Sequence, residues 1–197
     1  MNLSDLRDLA RIRLRDTSTP PLWSDDEIDA NLNEAEREAC VRALLIEDWT
    51  SDVTQIYVTT AEKEYEISDL LIDIRWIEAN DNPGIKLSGW TLTEGLLAFD
   101  CFPSKDETIT LRCYRLPAKK MEDDDDKPEI RAMHHDRMID WALSLCYLTP
   151  DADGFDQAAS DRYAARFTQS FGERFSALTQ KNQRSKALRT VSCNGYI

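Results

Sequence analysis

Glycine is scarce in this chain, six residues in 197, and proline appears only seven times. Collagen-like and linker-dominated architectures are therefore excluded. Neither a P-loop nor a G-x-G-x-x-G occurs, so no glycine loop is built to cradle a phosphate. No apolar run reaches the length of a membrane-spanning helix, and no membrane contact is expected. The opening residues Met1-Asn2-Leu3-Ser4-Asp5-Leu6 have neither a basic leader nor an apolar stretch, so no secretory signal is expected. The five cysteines, Cys40, Cys101, Cys113, Cys146 and Cys193, are odd in number and contain no C-x-x-C. That speaks against a disulfide framework and a zinc knuckle. Buried thiols are expected, with Cys101 and Cys113 as candidates to face each other across a hairpin. Basic charge is also in deficit: 24 Lys and Arg stand against 37 Asp and Glu, a net charge of −13. So acidic a balance speaks against a nucleic-acid-binding face spanning the chain, because phosphate contact needs a cationic footprint.

The charge is unevenly placed. From Arg162 onward the chain carries Arg162, Arg166, Arg174, Lys181, Arg184, Lys186 and Arg189 against the single acid Glu173. The last 36 residues thus sum to +6 and the preceding 161 to −19. Two readings stand beside each other: a solvated tail, and an arm that docks on an acidic partner.

The apolar spacing predicts a helix over 3–15, with Ser4 as N-cap and Asp5 in its first turn. A break follows at Thr17–Pro21. Ser24 and Glu27 then form a capping box, with Trp23 placed to staple onto Ile28. The helix they start is expected to run to about Asp48, with Ile28, Leu32, Ala35, Ala39, Ala43 and Ile46 on one face and Glu34, Glu36, Arg37, Glu38 and Arg42 on a charged one. Between 53 and 116 the period changes to two. Short alternating stretches at 54–58, 64–67, 72–76, 85–87, 90–92, 97–101 and 108–114 predict an antiparallel meander or small barrel, with a turn at Asn82-Pro83-Gly84. Trp23, Trp76 and Trp141 are placed on apolar faces, Trp49 and Trp90 at element ends. Residues 117–127 read as an acidic linker. Pro128 suits a helix first turn, and Ile130, Met133, His134, Arg137, Met138, Trp141, Leu145 and Leu148 mark an amphipathic helix to about 148. A last helix carries Phe155, Ala159, Tyr163, Phe167, Phe171 and Phe175 at intervals of four.

The expected fold is α+β. A four-helix bundle of two N-terminal and two C-terminal helices (1–50 and 128–180) carries an antiparallel β insertion lobe (53–116), an acidic linker (117–127) and a basic C-terminal arm (181–197). Its core is assigned to Ile28, Leu32, Trp141, Leu145, Tyr163, Phe167 and Phe171.

Chemistry is thinly signalled. His134 and His135, with Asp136 and Asp140 nearby, form the one histidine cluster, but adjacent helical residues point about 100° apart and do not readily share a metal. The Asp123–Asp126 run lacks the alternating ligand spacing and the glycine of a calcium loop. No G-x-S-x-G is present. An enzyme is disfavoured, no cofactor is expected, and a metal-dependent hydrolase using the two histidines stays as a minor alternative.

The layout resembles the head-to-tail adaptor (connector) proteins of tailed bacteriophages, of the tail tubular protein A type. Three features carry the resemblance: the capped pair Leu22-Trp23-Ser24-Asp25-Asp26-Glu27-Ile28 and Leu32-Asn33-Glu34-Ala35-Glu36-Arg37-Glu38-Ala39; the β insertion between two helix pairs; and Lys127-Pro128-Glu129-Ile130 leading to His134, Trp141-Ala142 and the helix with Tyr163, Phe167 and Phe171. The resemblance implies a virion protein of the neck, assembled in the host cytoplasm as a homo-oligomeric ring, usually of twelve copies, beneath the portal protein. It implies helices that build the ring, a β lobe facing the next tail component (nozzle or tail tube protein), and DNA passing through the lumen without specific binding. On this reading Trp23, Ser24 and Glu27 cap and form the ring, and Arg174, Lys181, Arg184, Lys186, Arg189 and Tyr196 engage the portal. The alternative is another phage assembly protein: a head-completion, scaffold or tail-terminator component.

Overall fold

A computed structural model describes residues 1–16, 19–81, 85–93, 95–149 and 154–174. The chain divides into two compact units, one of Met1–Ile46 with Pro117–Arg174 and a second containing Glu47–Leu116.

The first unit is helical: α1 (Leu3–Leu14), α2 (Asp25–Ala43), α3 (His135–Cys146) and α4 (Gln157–Phe171). The four helices pack together, and α3 touches each of the other three. Leu3, Leu6, Ile28, Leu32, Met138, Ile139, Leu143 and Phe167 are fully buried there. Each such side chain contributes about 1.5–3 kcal/mol by leaving water. Arginines on α1 tie the helices at their polar margins. Arg7 spans Asp29 of α2 (2.6 Å) and Asp124 (3.0 Å), while Arg13 pairs with Asp136 and Asp140 of α3.

Several helix boundaries differ from the sequence expectation. Asn2, not Ser4, caps α1, in a capping box with Asp5. α2 stops at Ala43 because Leu44 turns left-handed (φ +51°), and Ile46 to Asp48 form a strand instead. Pro128 does not open a helix. Glu129 and Ile130 N–H groups donate to the buried carboxylate of Glu36, which holds this segment outside helical geometry. The chain then enters α3 through a 3-10 turn at Ala132–His134. The buried face of α3 is rotated from the expected stripe: Met133 and Leu148 are exposed, and Ile139, Ala142 and Leu143 are buried. α4 starts at Gln157, capped by Asp156, so Phe155 lies outside it and is exposed. Residues 117–127 are largely exposed but are tied to the helical unit. Asp124 and Asp126 carbonyls accept from Ser4 and Leu3, and Asn33 brackets the Met121 backbone.

The second unit is antiparallel. Strands β1 (Ile46–Asp48), β2 (Gln55–Val58), β4 (Leu71–Ala79), β5 (Lys86–Leu87) and β8 (Glu107–Arg115) form a five-stranded sheet; β3 (Glu64–Glu66), β6 (Trp90–Thr93) and β7 (Leu96–Phe99) form a three-stranded one. β8 is central, paired with β4 on one side and with β1 and β2 on the other. Val58, Ile74, Ile77, Ile109, Leu111 and Cys113 of the larger sheet share one core with Tyr65 and Leu97 of the smaller. β4 departs from simple alternation. Ile74 opposes Cys113 and Trp76 opposes Arg112, leaving Arg75 as an extra residue in a bulge. The bulge inverts the parity, so Trp76 lies on the outer face with Arg112 rather than on the apolar face expected for it.

Candidate functional site

At the start of α2 the sequence-predicted capping box is present. Ser24 Oγ accepts from Glu27 N–H (3.2 Å), and Glu27 Oε2 accepts from Ser24 N–H (2.9 Å). These bonds hold the Glu27 carboxyl below its ordinary value. Trp23, buried, sends its indole N–H to the Cys146 carbonyl at the end of α3 (3.0 Å) and meets Tyr147 edge-on. A Cβ on Gly154 would come within 2.6 Å of the Trp23 ring, so the close approach there requires glycine.

Where α4 ends, a polar cluster is buried under aromatic rings. Arg42 Nε donates to Glu38 (2.7 Å), its NH1 reaches Thr168 Oγ1 (2.9 Å) and the Gly172 carbonyl (3.3 Å), and its guanidinium covers Trp141 and Phe167. Glu38 also faces Arg174 at 3.6 Å. Gly172 takes φ +84° and ψ 176°, a conformation open essentially to glycine alone, and turns the chain out of the helix. Arg174 is thus the one member of the predicted portal-binding set among the described residues; Lys181, Arg184, Lys186, Arg189 and Tyr196 lie outside them.

Of the predicted core set, Ile28, Leu32, Phe167 and Phe171 are buried, while Trp141, Leu145 and Tyr163 are half-buried. Trp141 and Phe167 rings lie 5.2 Å apart, and Tyr163 stacks on Tyr147.

The two histidines serve different partners. His135 is buried, with Nε2 3.0 Å from the Ile130 carbonyl and Nδ1 3.3 Å from the Met1 nitrogen. His134 lies against the Phe171 ring. Desolvation lowers the pKa of both. Among the described residues no three His, Cys, Asp or Glu side chains gather as metal ligands. Cys113 is buried in the β core, which pushes its thiol up to about 11, whereas Cys101 is exposed. The two do not face each other across a hairpin.

Sequence reasoning did not find the outer face of the five-stranded sheet. Lys86 lies 4.1 Å and Arg75 4.9 Å from the Trp76 ring centroid, and Arg112 lies 4.5 Å from Trp49 and 5.2 Å from Trp76. Trp76 Nε1 donates to Glu78 (2.6 Å). The residue types were visible, but only the bulge brings them to one face.

The model of one protein family, described as SU10 adaptor protein, matches residues 1–191. The chain belongs to this family of phage head-to-tail adaptors. No individual curated protein matches the sequence. The family is a structural one, and binding to other phage structural components follows from membership. No described helix of the adaptor is long and apolar enough to cross a membrane.

Proposed function

We propose that the adaptor assembles as a ring, of twelve copies, between the portal protein and the next tail component (nozzle or tail tube protein) in the neck of the virion. The helical unit builds the ring, with Trp23, Ser24 and Glu27 fixing the start of α2 at its working surface. The β unit faces the tail. Arg174, Lys181, Arg184, Lys186, Arg189 and Tyr196 engage the portal, and DNA passes through the lumen.

The charge distribution carries this reading: −19 over the first 161 residues and +6 over the last 36. An acidic subunit repeated around a ring repels phosphates and lets DNA slide. A basic arm binds an acidic partner by charge-assisted hydrogen bonds.

The test mixes the purified adaptor with the portal protein of its phage and measures complex mass by light scattering at low and moderate salt. A stoichiometric complex that weakens with salt, and that is lost on deleting residues 180–197, is the expected result. No complex at either salt overturns portal binding and favours another assembly role, in head completion or tail termination.

A further inference from the structure

We propose that the outer face of the five-stranded sheet is an interface between copies of the adaptor, and that its occupant is the acidic surface of a neighbouring copy's helical unit along α2 and residues 120–122. The inference rests on the ring reading above and adds a contact between neighbouring copies beside the packing of their helical units.

Three of the six Lys and Arg residues between 47 and 116, Arg75, Lys86 and Arg112, converge on Trp76 in a segment that is otherwise strongly acidic. Concentrating like charges on one face is unfavourable unless a ring or an anion offsets it, and here the Trp76 and Trp49 rings do so in part. Glu47, 2.9 Å from Arg75, and Glu78 beside Arg112 add two carboxylates against the three cations, so the offset is incomplete. The Arg112 Nε is buried with no hydrogen-bond partner among the described residues, and its nearest carboxylate, Glu78, stands 3.8 Å away. Trp49, under Arg112, is 42% exposed, and Tyr57, opposite Thr108 on the same sheet, is 61% exposed. Trp, Tyr and Arg are the residue types that carry binding energy in protein interfaces. Stacking of a nucleic-acid base needs open ring faces, and Arg75, Lys86 and Arg112 already lie against the Trp76 ring.

Such a face calls for an acidic, concave partner. The helical unit offers one: a groove of about 670 Å³ between α2 and residues 120–122, lined by Asp26, Asp29, Asn33, Glu34 and Glu122 along with Arg37 and Lys120. Two different and complementary patches on one chain make a heterologous contact, the kind that closes into a ring when the rotation is right.

Full-length protein is assayed for assembly by mass photometry, alone and with portal protein as template. Lys86→Glu and Arg75→Glu, both at exposed positions, are compared with Glu34→Lys and Glu122→Lys, and folding is checked by circular dichroism. Each reversal is expected to raise the concentration needed for assembly roughly tenfold or more, and combining reversals from opposite patches is expected to restore assembly substantially. Rings that form equally well with Lys86→Glu and Arg75→Glu overturn the interface and leave the ring reading standing. Wild-type protein that stays monomeric with and without portal overturns both. Salt-sensitive binding of a short DNA duplex that Lys86→Glu abolishes, with assembly unchanged, assigns the face to nucleic acid and overturns the proposal.

Discussion

The Arg42 guanidinium lies 4.7 Å from the centroid of the Trp141 ring while its Nε holds Glu38 at 2.7 Å. One side chain from α2 thereby touches α3 through a ring and α4 through Thr168 and Gly172. Arg42→Ala leaves Glu38 buried without its closest cation, and the expected loss is about 3 kcal/mol, read from the urea midpoint. Arg42→Lys recovers only part of it, because an ammonium cannot present the planar fork to Glu38 and Thr168 while stacking on two rings. Equal stability of the lysine variant and wild type would show that charge alone suffices.

The capping box makes a smaller claim. Ser24→Ala removes the acceptor for the Glu27 N–H and is expected to cost about 1 kcal/mol. Glu27→Gln keeps an acceptor for the Ser24 N–H and costs less. Chemical denaturation of both variants orders the two effects, and the reverse order would mean that the charge at the helix start outweighs the hydroxyl.

Two buried carboxylates respond to pH with opposite sign. Burial raises Glu36 above its ordinary value of 4.5, against the opposing hydrogen bonds from Ile130 and Glu129. The folded state then binds more protons than the unfolded one, so this group's contribution falls as pH rises from 4.5 through the raised value. Burial also works against ionised Asp48, but hydrogen bonds from Ser51, Thr50 and Arg115 more than offset it and leave the carboxyl well below 3.8. Its contribution is present above 3.8 and is lost as pH falls below. Hydrogen exchange followed separately in each unit should show Glu36→Gln removing the first dependence and Asp48→Asn the second. A Glu36→Gln profile parallel to wild type would show that Glu36 does not titrate in this way.

Thiol labelling distinguishes the cysteines. In a Cys193→Ser background a thiol reagent at pH 8 is expected to modify Cys101 rapidly. Cys40, Cys113 and Cys146, all buried, react only after denaturant is added, and burial further disfavours the Cys113 and Cys146 thiolates. Rapid labelling of Cys113 in native protein would mean that the β core opens readily.

Signals confined to one turn of chain were legible in the sequence. Ser24 and Glu27 could be paired because both partners lie within four residues. The four helices and the change to period two near residue 53 followed from apolar spacing. What escaped depends on distant partners. Glu36 and Glu38 read as members of a charged helix face, yet they are buried, Glu36 because it receives two N–H groups from 129–130 and Glu38 because Arg42 covers it. The end of α2 at Leu44 is a left-handed turn at a leucine, which carries no compositional mark. The bulge at Arg75 likewise has no local signature, so the side of the sheet that Trp76 occupies could not be read from alternation.

The Asp48–Arg115 ion pair, 2.5 Å between Nε and Oδ2, joins the first and last strands of the β unit. These residues sit just inside the two points where the helical unit's sequence is interrupted, at Ile46 and Pro117. During synthesis α1 and α2 emerge long before α3, and reuniting them across a flexible stretch of this length would cost roughly 4 kcal/mol of closure entropy. Once the contiguous β unit has folded, most of that closure is already made: residues 48 and 115 are held side by side, so the chain leaves the unit next to where it entered. The insertion thereby acts as a clasp in the order of folding as well as a lobe of the finished adaptor.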